Sequence, residues 1–303
     1  RHACQRQRQQ IRLGAGIGEA HLLDRREAIT HQPCEAGLEG VVACQVQPEA
    51  GQAVEVPPAS LAARRQAVQV VEIERLTAAV CRLQVRLPAG CTTNFLPGQW
   101  ARLEFPFGTG HEHRAYIYAS VPGKVTVDFL VGRVPGGRVS NLIHDALEPG
   151  ASLDLIGPFG DFTLPEAVDG QGPGTLPMIW VAGGTGMAPF RAMLGSLLAA
   201  GLLDSANPAG RPLWLFFAVH RPEELFLNDW LSGLTRDHQL FHYVPLISEN
   251  PAGLPWAGLV GRLPQVLRQQ VPLIPGAISD GKADRVEAWI CGSAGLVEVC
   301  RAV

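Results

Sequence analysis

The chain has 303 residues, enough for two or three domains, and its 47% hydrophobic and 17% charged residues exclude a largely disordered protein. A net charge of -3 offers no field that would hold nucleic acid, and the longest apolar run, residues 213–219, is too short to cross a bilayer. Seven scattered cysteines do not form the framework of a small secreted domain, so we expect a cytoplasmic protein in a reducing compartment.

The first 57 residues form a polar unit that is rich in glutamine and arginine and ends beside two adjacent prolines, Pro57 and Pro58. Two prolines in a row break regular structure and suit a linker. We therefore predict that a first, small unit covers residues 1–57.

Residues 66–165 contain short segments rich in valine, leucine and aromatic residues, which are separated by turn signals such as Pro97-Gly98 and Pro122-Gly123. Many short strands at this spacing predict an antiparallel β-barrel. The predicted strands are 69–76, 81–87, 99–105, 113–119, 124–131 and 152–156. A single helix over 139–147 interrupts them.

Residues 170–303 follow another pattern, in which apolar runs alternate with helical stretches. This alternation predicts a doubly wound parallel α/β sheet. The pairs of run and helix are 177–182 with 189–201, 213–219 with 222–234, 242–248 with 262–269, and 287–291 with 295–302.

A glycine-rich turn directly follows the apolar run 177–182 and precedes a helix; it consists of Gly183, Gly184, Thr185 and Gly186. Glycines permit close approach of the backbone, and a helix N-terminus offers unpaired N–H groups to a pyrophosphate. The turn is therefore a candidate dinucleotide site. The alternative is a tight strand-to-helix turn that binds nothing.

Two further segments point to phosphate and ring binding. In the turn 134–141, Ser140 can cap the following helix and Arg138 can neutralise phosphate, although this turn taken alone favours ordinary helix capping. Along the strand 113–120, Arg114, Tyr116 and Tyr118 share one face, which offers a guanidinium beside aromatic rings. The alternative for that strand is a simple lining of the barrel.

These segments occur in the order that is typical of one family. RAYIYAS (114–120) resembles the Arg-x-Tyr-Ser flavin motif of the ferredoxin–NADP reductase superfamily, and GGTGMAPFRAML (183–194) resembles its nicotinamide-nucleotide turn. The other matching motifs are LPGQWARL (96–103), GGRVSNL (136–142), GPFGDF (157–162), RPEELFLNDWL (221–231), WAGLVG (256–261) and WICGSAGLVE (289–298). The resemblance covers residues 66–300.

The resemblance implies a role for individual residues. Arg114 would contact a flavin phosphate, and Tyr116 would stack on the isoalloxazine ring. Cys291 would lie where the nicotinamide meets the flavin, so Tyr116 and Cys291 are the candidate catalytic residues; a small buried residue at the end of a strand is the alternative for Cys291. The candidate cofactor-binding residues are Arg114, Ala115, Tyr116, Ile117, Gly136, Gly137, Arg138, Val139, Ser140, Gly183, Gly184, Thr185, Gly186, Cys291 and Gly292.

The sequence departs from the family motif at Ile117, where the family usually has serine or threonine. That hydroxyl would hydrogen-bond the flavin near the nitrogen that accepts hydride. We therefore expect Ile117 to slow hydride transfer or to shift the flavin potential.

Residues 18–57 resemble the C-terminal half of a plant-type two-iron ferredoxin domain, a β-grasp fold, with Cys44 as the final ligand. If Cys4 is the first ligand, the required C-x4-C-x2-C spacing falls on Gln9 and Arg12, neither of which is a sulfur ligand. Cys34 does not lie at a ligand position. Because these ligands are missing, we expect no ordinary 2Fe-2S cluster. Two explanations stay open: the segment has lost its cluster, or the chain is altered or truncated at its start; the C-terminus also looks clipped.

The sequence thus predicts a multi-domain flavoprotein, with an incomplete ferredoxin-like segment (1–57), an FAD-binding antiparallel β-barrel (66–165) and a doubly wound NAD(P)H-binding α/β domain (170–303). It resembles the oxygenase-type NAD(P)H reductases, which implies transfer of electrons from NADH through FAD to a ferredoxin or an oxygenase. The alternatives are a non-catalytic scaffold and a stand-alone flavin reductase. Glu223 and Glu224 after the run 213–219 favour NADH over NADPH.

Overall fold

The structure, a computed structural model, describes residues 11–14, 63–164, 177–207, 210–250, 253, 255–277 and 287–301. The predicted ferredoxin-like segment therefore lies outside the described residues, apart from the strand β1 (Ile11–Gly14). Cys4, Cys34 and Cys44 are among the residues that it leaves out.

Six antiparallel strands form the first sheet, in the order β5-β4-β7-β2-β3-β6. The strands are β2 (Arg64–Arg75), β3 (Val80–Arg86), β4 (Trp100–Phe107), β5 (Gly110–Ile117), β6 (Thr126–Gly132) and β7 (Ser152–Phe159). Buried and half-exposed residues alternate along β4 and most of β7, since side chains alternate between the two faces of a sheet. The helix α1 (Arg138–Asp145) follows β6, so both the barrel and its interrupting helix are confirmed.

The edge strands β5 and β6 of this sheet come together at one point. Tyr118, just after β5, pairs with Phe129 of β6 in an isolated antiparallel bridge. The Tyr118 ring stacks on Phe95, with the ring centroids 3.9 Å apart. These contacts curl the sheet into a barrel around a core that includes Leu83, Leu103 and Phe105.

The second sheet is parallel, with the strand order β1-β12-β8-β9-β10-β11. Its strands are β8 (Met178–Gly183), β9 (Leu213–Val219), β10 (Phe241–Ile247), β11 (Leu259–Val260) and β12 (Glu287–Cys291), and its helices are α2 (Met187–Ala199), α3 (Asn228–Asp237), α4 (Leu263–Gln270) and α5 (Ala294–Arg301). One hydrophobic cluster packs α2 and α3 on one face, and another packs α4 and α5 on the other. This arrangement confirms the doubly wound prediction.

Strand β1 extends the parallel sheet beside β12, with Ile11 opposite Ala288 and Gly14 opposite Cys291. Without β1, β12 would be the edge strand of the sheet and would expose a row of N–H and C=O groups. Strand β1 pairs with these groups. Residues 11–14 therefore form an edge strand of the parallel sheet.

The helix predicted over 222–234 is broken. A short 3-10 turn covers Pro222–Glu224, and α3 begins only at Asn228. Between them, Leu227 has a left-handed φ of 61°, and Phe226 is only 4% exposed. The chain turns here because burial of Phe226 in the core outweighs continuation of the helix.

Helix α2 packs directly on the barrel. A Cβ atom added to Gly195 of α2 would lie 2.4 Å from Val121 Cγ2, and one added to Gly98 would lie 2.7 Å from Met193 Cε. One hydrophobic cluster includes Ala119 of the barrel region together with α2 residues such as Met193. The two sheets therefore share an interface. Within the described residues, the helices are too short or too polar to span a membrane.

Candidate functional site

The register of β4 and β5 decides where the flavin-motif side chains lie. Arg114 is opposite Leu103, and Tyr116 is opposite Ala101. Directly opposite residues in an antiparallel pair share a face, and both Leu103 and Ala101 are fully buried in the barrel core. Arg114 and Tyr116 therefore project from the core side of the sheet, at its edge strand.

The Tyr116 side chain is half-buried against the barrel core, with its ring centroid 6.3 Å from that of Phe129. Burial raises the pKa of the Tyr116 hydroxyl above its ordinary value. The phenol is therefore neutral at physiological pH, and its ring can contribute stacking without charge.

The second phosphate turn connects β6 to α1. Gly136 has a φ of 71°, which favours glycine, and a Cβ added to Gly137 would lie 2.7 Å from Ser140 Oγ. Val139, in the first turn of α1, is buried, whereas the Arg138 side chain is 65% exposed at the first helical position. The turn thus presents glycine backbone and a guanidinium at a helix N-terminus.

The prediction that Ser140 caps this helix is wrong. The N-cap residue is Gly137, and no side chain caps the helix. Instead, the Val134 N–H donates to Ser140 Oγ over 3.1 Å, and the buried hydroxyl lies 3.4 Å from Gly137 O. Ser140 closes the glycine turn because its position in the first helical turn directs the side chain backwards along the chain.

Glu112, which no sequence motif indicated, lies in space between Arg114 and Arg138, the two predicted phosphate-binding arginines. Its Oε1 is 2.5 Å from Arg138 Nη1, and its Oε2 is 3.4 Å from Arg114 Nη1. Arg114 Nη1 also donates to His113 O over 2.6 Å. Because both guanidiniums contact the same carboxylate, both reach one anionic position. The sequence gave no signal of this arrangement, since Arg138 is 26 residues from Glu112.

The nucleotide turn lies between β8 and α2, as the sequence predicts. Gly184 has a φ of 52°, and residues 184–186 form a single 3-10 turn before α2 begins at Met187. A Cβ added to Gly186 would lie 2.1 Å from Cys291 O and 2.8 Å from Gly292 N. The turn is therefore packed against the loop that follows β12, backbone against backbone.

Cys291 ends β12 and is 1% exposed. Burial raises the pKa of its thiol to about 12, so the thiol is neutral at physiological pH. The neighbouring Gly292 is also buried, and a Cβ added to it would lie 3.4 Å from Gly183 Cα. Any contribution of Cys291 at this position is one of contact and shape, without a nucleophilic thiolate.

The flavin-motif strand and the nucleotide turn meet at the interface of the two sheets. Ile117 packs against the hydrophobic cluster that contains Cys291. A Cβ added to Gly132, at the end of β6 just before the phosphate turn, would lie 3.4 Å from Thr185 Cγ2 of the nucleotide turn. The structure therefore brings together the two segments that the sequence predicted separately.

The residues present fit a dinucleotide on each side of this interface. Two guanidiniums, two glycines and the N-terminus of α1 suit the pyrophosphate of FAD, and Tyr116 supplies a half-buried ring nearby. The glycine turn at the carboxyl end of β8 suits a nicotinamide dinucleotide. Among the described residues, His, Cys, Asp and Glu side chains form no group of three or more that could hold a metal ion.

Two family models match the chain. The oxidoreductase FAD-binding domain matches residues 67–164, and the oxidoreductase NAD-binding domain matches residues 180–302. Together they span the barrel and most of the parallel sheet.

Curated relatives and solved structures agree with these matches. The chain is 33% identical to ferredoxin–NADP reductase B of Sorangium cellulosum over 239 residues, which cover 77% of this chain and 88% of the relative. It is 29% identical to the reductase component of the naphthalene 1,2-dioxygenase system of Pseudomonas putida, over 95% of this chain and 76% of the relative. The crystal structure of an Amycolatopsis cytochrome P450 reductase superposes with a TM-score of 0.64 at 25% identity, over 79% of this chain and 66% of that chain.

Proposed function

Because this chain belongs to the ferredoxin–NAD(P) reductase family of FAD- and NAD-binding oxidoreductases, we propose that it takes electrons from NADH and passes them to a ferredoxin or an oxygenase. We assign FAD to residues 66–165 and the nicotinamide nucleotide to residues 170–303. Residues 1–57, apart from the strand Ile11–Gly14 that joins the parallel sheet, remain a proposed ferredoxin-like segment without an ordinary cluster. The observation that carries the proposal is that the flavin-motif strand and the nucleotide turn meet at one interface. Ile117 packs against the hydrophobic cluster that contains Cys291, and a Cβ added to Gly132 at the end of β6 would lie 3.4 Å from Thr185 Cγ2.

Bound FAD would supply a two-electron acceptor for the hydride of NADH and a one-electron donor for the acceptor protein. The protein would position the two cofactors and supply the electrostatic environment around them. Arg114 and Arg138 offer positive charge to the flavin phosphates, and Tyr116 offers a neutral ring for stacking. The glycine turn 183–186 would hold the nicotinamide nucleotide with its backbone, and Gly186 lets this turn pack against the backbone of Cys291 and Gly292.

Anaerobic mixing of the FAD-loaded protein with NADH tests the proposal. Loss of the visible absorbance of bound FAD, followed by its recovery when an oxidised ferredoxin is added, supports a reductase of electron-transfer type. A protein that remains colourless after incubation with FAD and gel filtration, and that shows no reduction of added flavin, supports the scaffold alternative.

A stand-alone flavin reductase is the second candidate, and Glu112 favours it. The Glu112 carboxylate lies against both Arg114 and Arg138, where it competes with the flavin phosphates for the same positive charge. Such an enzyme would reduce added flavin with NADH but would lose most of its FAD on gel filtration. The electron-transfer reductase would keep it.

We expect the enzyme to prefer NADH over NADPH by about tenfold in kcat/KM, which corresponds to about 1.4 kcal/mol. Glu223 and Glu224 follow the end of β9, and Glu224 Oε2 accepts a hydrogen bond from the His220 N–H over 3.1 Å. Carboxylates at this sheet edge repel a 2′-phosphate and can bond ribose hydroxyls. Steady-state kinetics with both nucleotides measures the ratio; a preference for NADPH would show that the exposed Arg221 dominates this edge instead.

Replacement of Ile117 by serine should raise the rate of flavin reduction by about fivefold, the equivalent of one net hydrogen bond of about 1 kcal/mol. Ile117 packs at the interface of the two sheets, against the cluster that contains Cys291, and it occupies the motif position at which the family's hydroxyl bonds the flavin. Stopped-flow reduction by saturating NADH measures the rate. Ile117→Ala is the matched control, since it removes the same bulk without a hydroxyl; equal rates in the two variants would contradict the prediction.

A further inference from the structure

One guanidinium joins the nucleotide helix to the flavin barrel. Arg191 lies in the second turn of α2, five residues after Gly186. Its Nη1 donates to Ala119 O over 2.5 Å and to Asp128 Oδ2 over 2.9 Å. Ala119 and Asp128 both belong to the antiparallel barrel region, so the contact crosses between the two cofactor-binding sheets.

Asp128 is a buried carboxylate that is held in place by several partners. Its side chain is 8% exposed, and Gln84 Nε2 donates to Oδ1 over 2.8 Å. Its own N–H donates to Ser120 Oγ over 3.1 Å, while Arg82 Nη1 lies 3.7 Å from Oδ2. A buried carboxylate is costly unless it is paired and hydrogen-bonded. Three of these partners belong to the barrel, and only Arg191 among the contacts named here comes from the nucleotide domain.

The two acceptors of Arg191 lie next to the flavin motif. Ala119 follows Tyr118 directly and comes two residues after Ile117, and Asp128 lies beside Phe129 on β6. At its other end, α2 begins at the nucleotide turn. The guanidinium therefore fixes the end of the flavin strand relative to the turn that cradles the nicotinamide nucleotide.

Two further close approaches between α2 and the barrel are apolar. Gly195 packs on Val121, and Met193 packs near Gly98. Apolar contact is non-directional, so it holds two faces together without specifying a lateral position. A guanidinium that donates to two separate acceptors adds direction. The position of one face relative to the other thus depends on Arg191.

We propose that Arg191 and Asp128 form a positioning pair that sets the separation of the nicotinamide and flavin rings across the domain interface. This inference rests on the proposed function, because it concerns the hydride transfer itself. Reacting atoms must approach to about 3–3.5 Å, and a misplacement of about 1 Å lowers the rate by about 100-fold. The pair touches neither reacting atom and acts through the strand and the helix that it joins.

Arg191→Met tests the proposal, since methionine keeps much of the bulk and loses both hydrogen bonds. We expect the rate of flavin reduction at saturating NADH to fall by about 10- to 100-fold. The KM for NADH and the FAD content after gel filtration should change by less than about twofold, because both cofactor turns stay intact. The charge-transfer absorbance that arises when nicotinamide stacks on flavin should weaken in parallel with the rate.

Further variants separate positioning from folding. Asp128→Asn should lower the rate in the same way, and the double variant should be no slower than Arg191→Met, because the two residues act as one pair. Arg191→Lys, which keeps the charge and one hydrogen bond, should be intermediate, and it serves as the test if Arg191→Met does not fold. Arg65→Met is the matched control, because it removes the ion pairs of Arg65 with Glu104 and Asp154 in the barrel.

The outcomes are distinct. An unchanged rate in Arg191→Met overturns the proposal, and so does a loss of FAD content or a rise in KM that accounts for the slower rate, since either would indicate a merely structural role. Additive effects of the two substitutions also overturn it. A wild-type protein that neither binds nor reduces FAD overturns the proposed function, before any variant is compared.

Discussion

Replacement of Gly186 by alanine is expected to lower the rate of NADH-dependent flavin reduction by about 100-fold or more, while bound FAD is retained. The new Cβ would lie 2.1 Å from Cys291 O and 2.8 Å from Gly292 N. Both neighbours are backbone atoms at the end of β12, so the clash is relieved only if the nucleotide turn and this strand end move apart. The nicotinamide would then lose its place beside the flavin.

Gly295→Ala is the matched control for this substitution. Gly295 lies in α5, and a Cβ added there would meet no atom within 4 Å. Alanine in an open helix position is neutral or stabilising. Single-turnover reduction and the FAD content of both variants are measured side by side. A Gly186→Ala protein as fast as the wild type would show that the turn and the Cys291 loop do not need their close approach.

Replacement of Arg114 by alanine is expected to weaken FAD binding by about 10- to 100-fold, since a hydrogen bond to a charged group contributes about 1.5–3 kcal/mol. Arg114 projects from the core side of β5, near the phosphate turn, and already holds the carboxylate of Glu112. The flavin-to-protein ratio after gel filtration and a titration with FAD measure the loss. The effect should shrink at high salt, because screening weakens the charged interaction in the wild type.

Arg102→Ala provides the control for charge. Arg102 is opposite Ala115 in the register and so projects from the other face of the sheet, where it pairs with Glu104. Its side chain is 40% exposed and that of Arg114 is 42% exposed, so the two substitutions remove similar groups. Equal FAD retention in the wild type and in Arg114→Ala would identify another residue as the phosphate ligand.

Local hydrophobic patterns were sufficient to predict those strands and helices whose formation depends mainly on their own residues. The alternation in 99–105 and the apolar run 213–219 predicted β4 and β9, and both form close to the expected positions. The helix over 222–234 shows the opposite case. Its helical propensity is overridden at Leu227, because burial of the adjacent Phe226 depends on a core that the local sequence does not contain.

The residues of the cofactor site also fall into those that the sequence revealed and those that only the tertiary structure revealed. The glycine turn 183–186 and the Arg114–Tyr116 pattern were visible, since each depends on residues that are neighbours in the sequence. Glu112, Ser140 and Asp128 were missed or misassigned. Each acts through a partner chosen by tertiary packing: Glu112 reaches Arg138, Ser140 accepts from the Val134 N–H, and Asp128 binds a guanidinium 63 residues away.

The sequence by itself determined the two sheet types, the order of the phosphate-binding turns and the family, because periodicity and motif spacing are local properties. Only the tertiary structure decided that Gly186 lies against Cys291 and that Arg191 spans the interface to Asp128. Such contacts arise when separately formed sheets pack. Their specificity depends on the shapes and charges of two distant surfaces at once, which no local pattern contains.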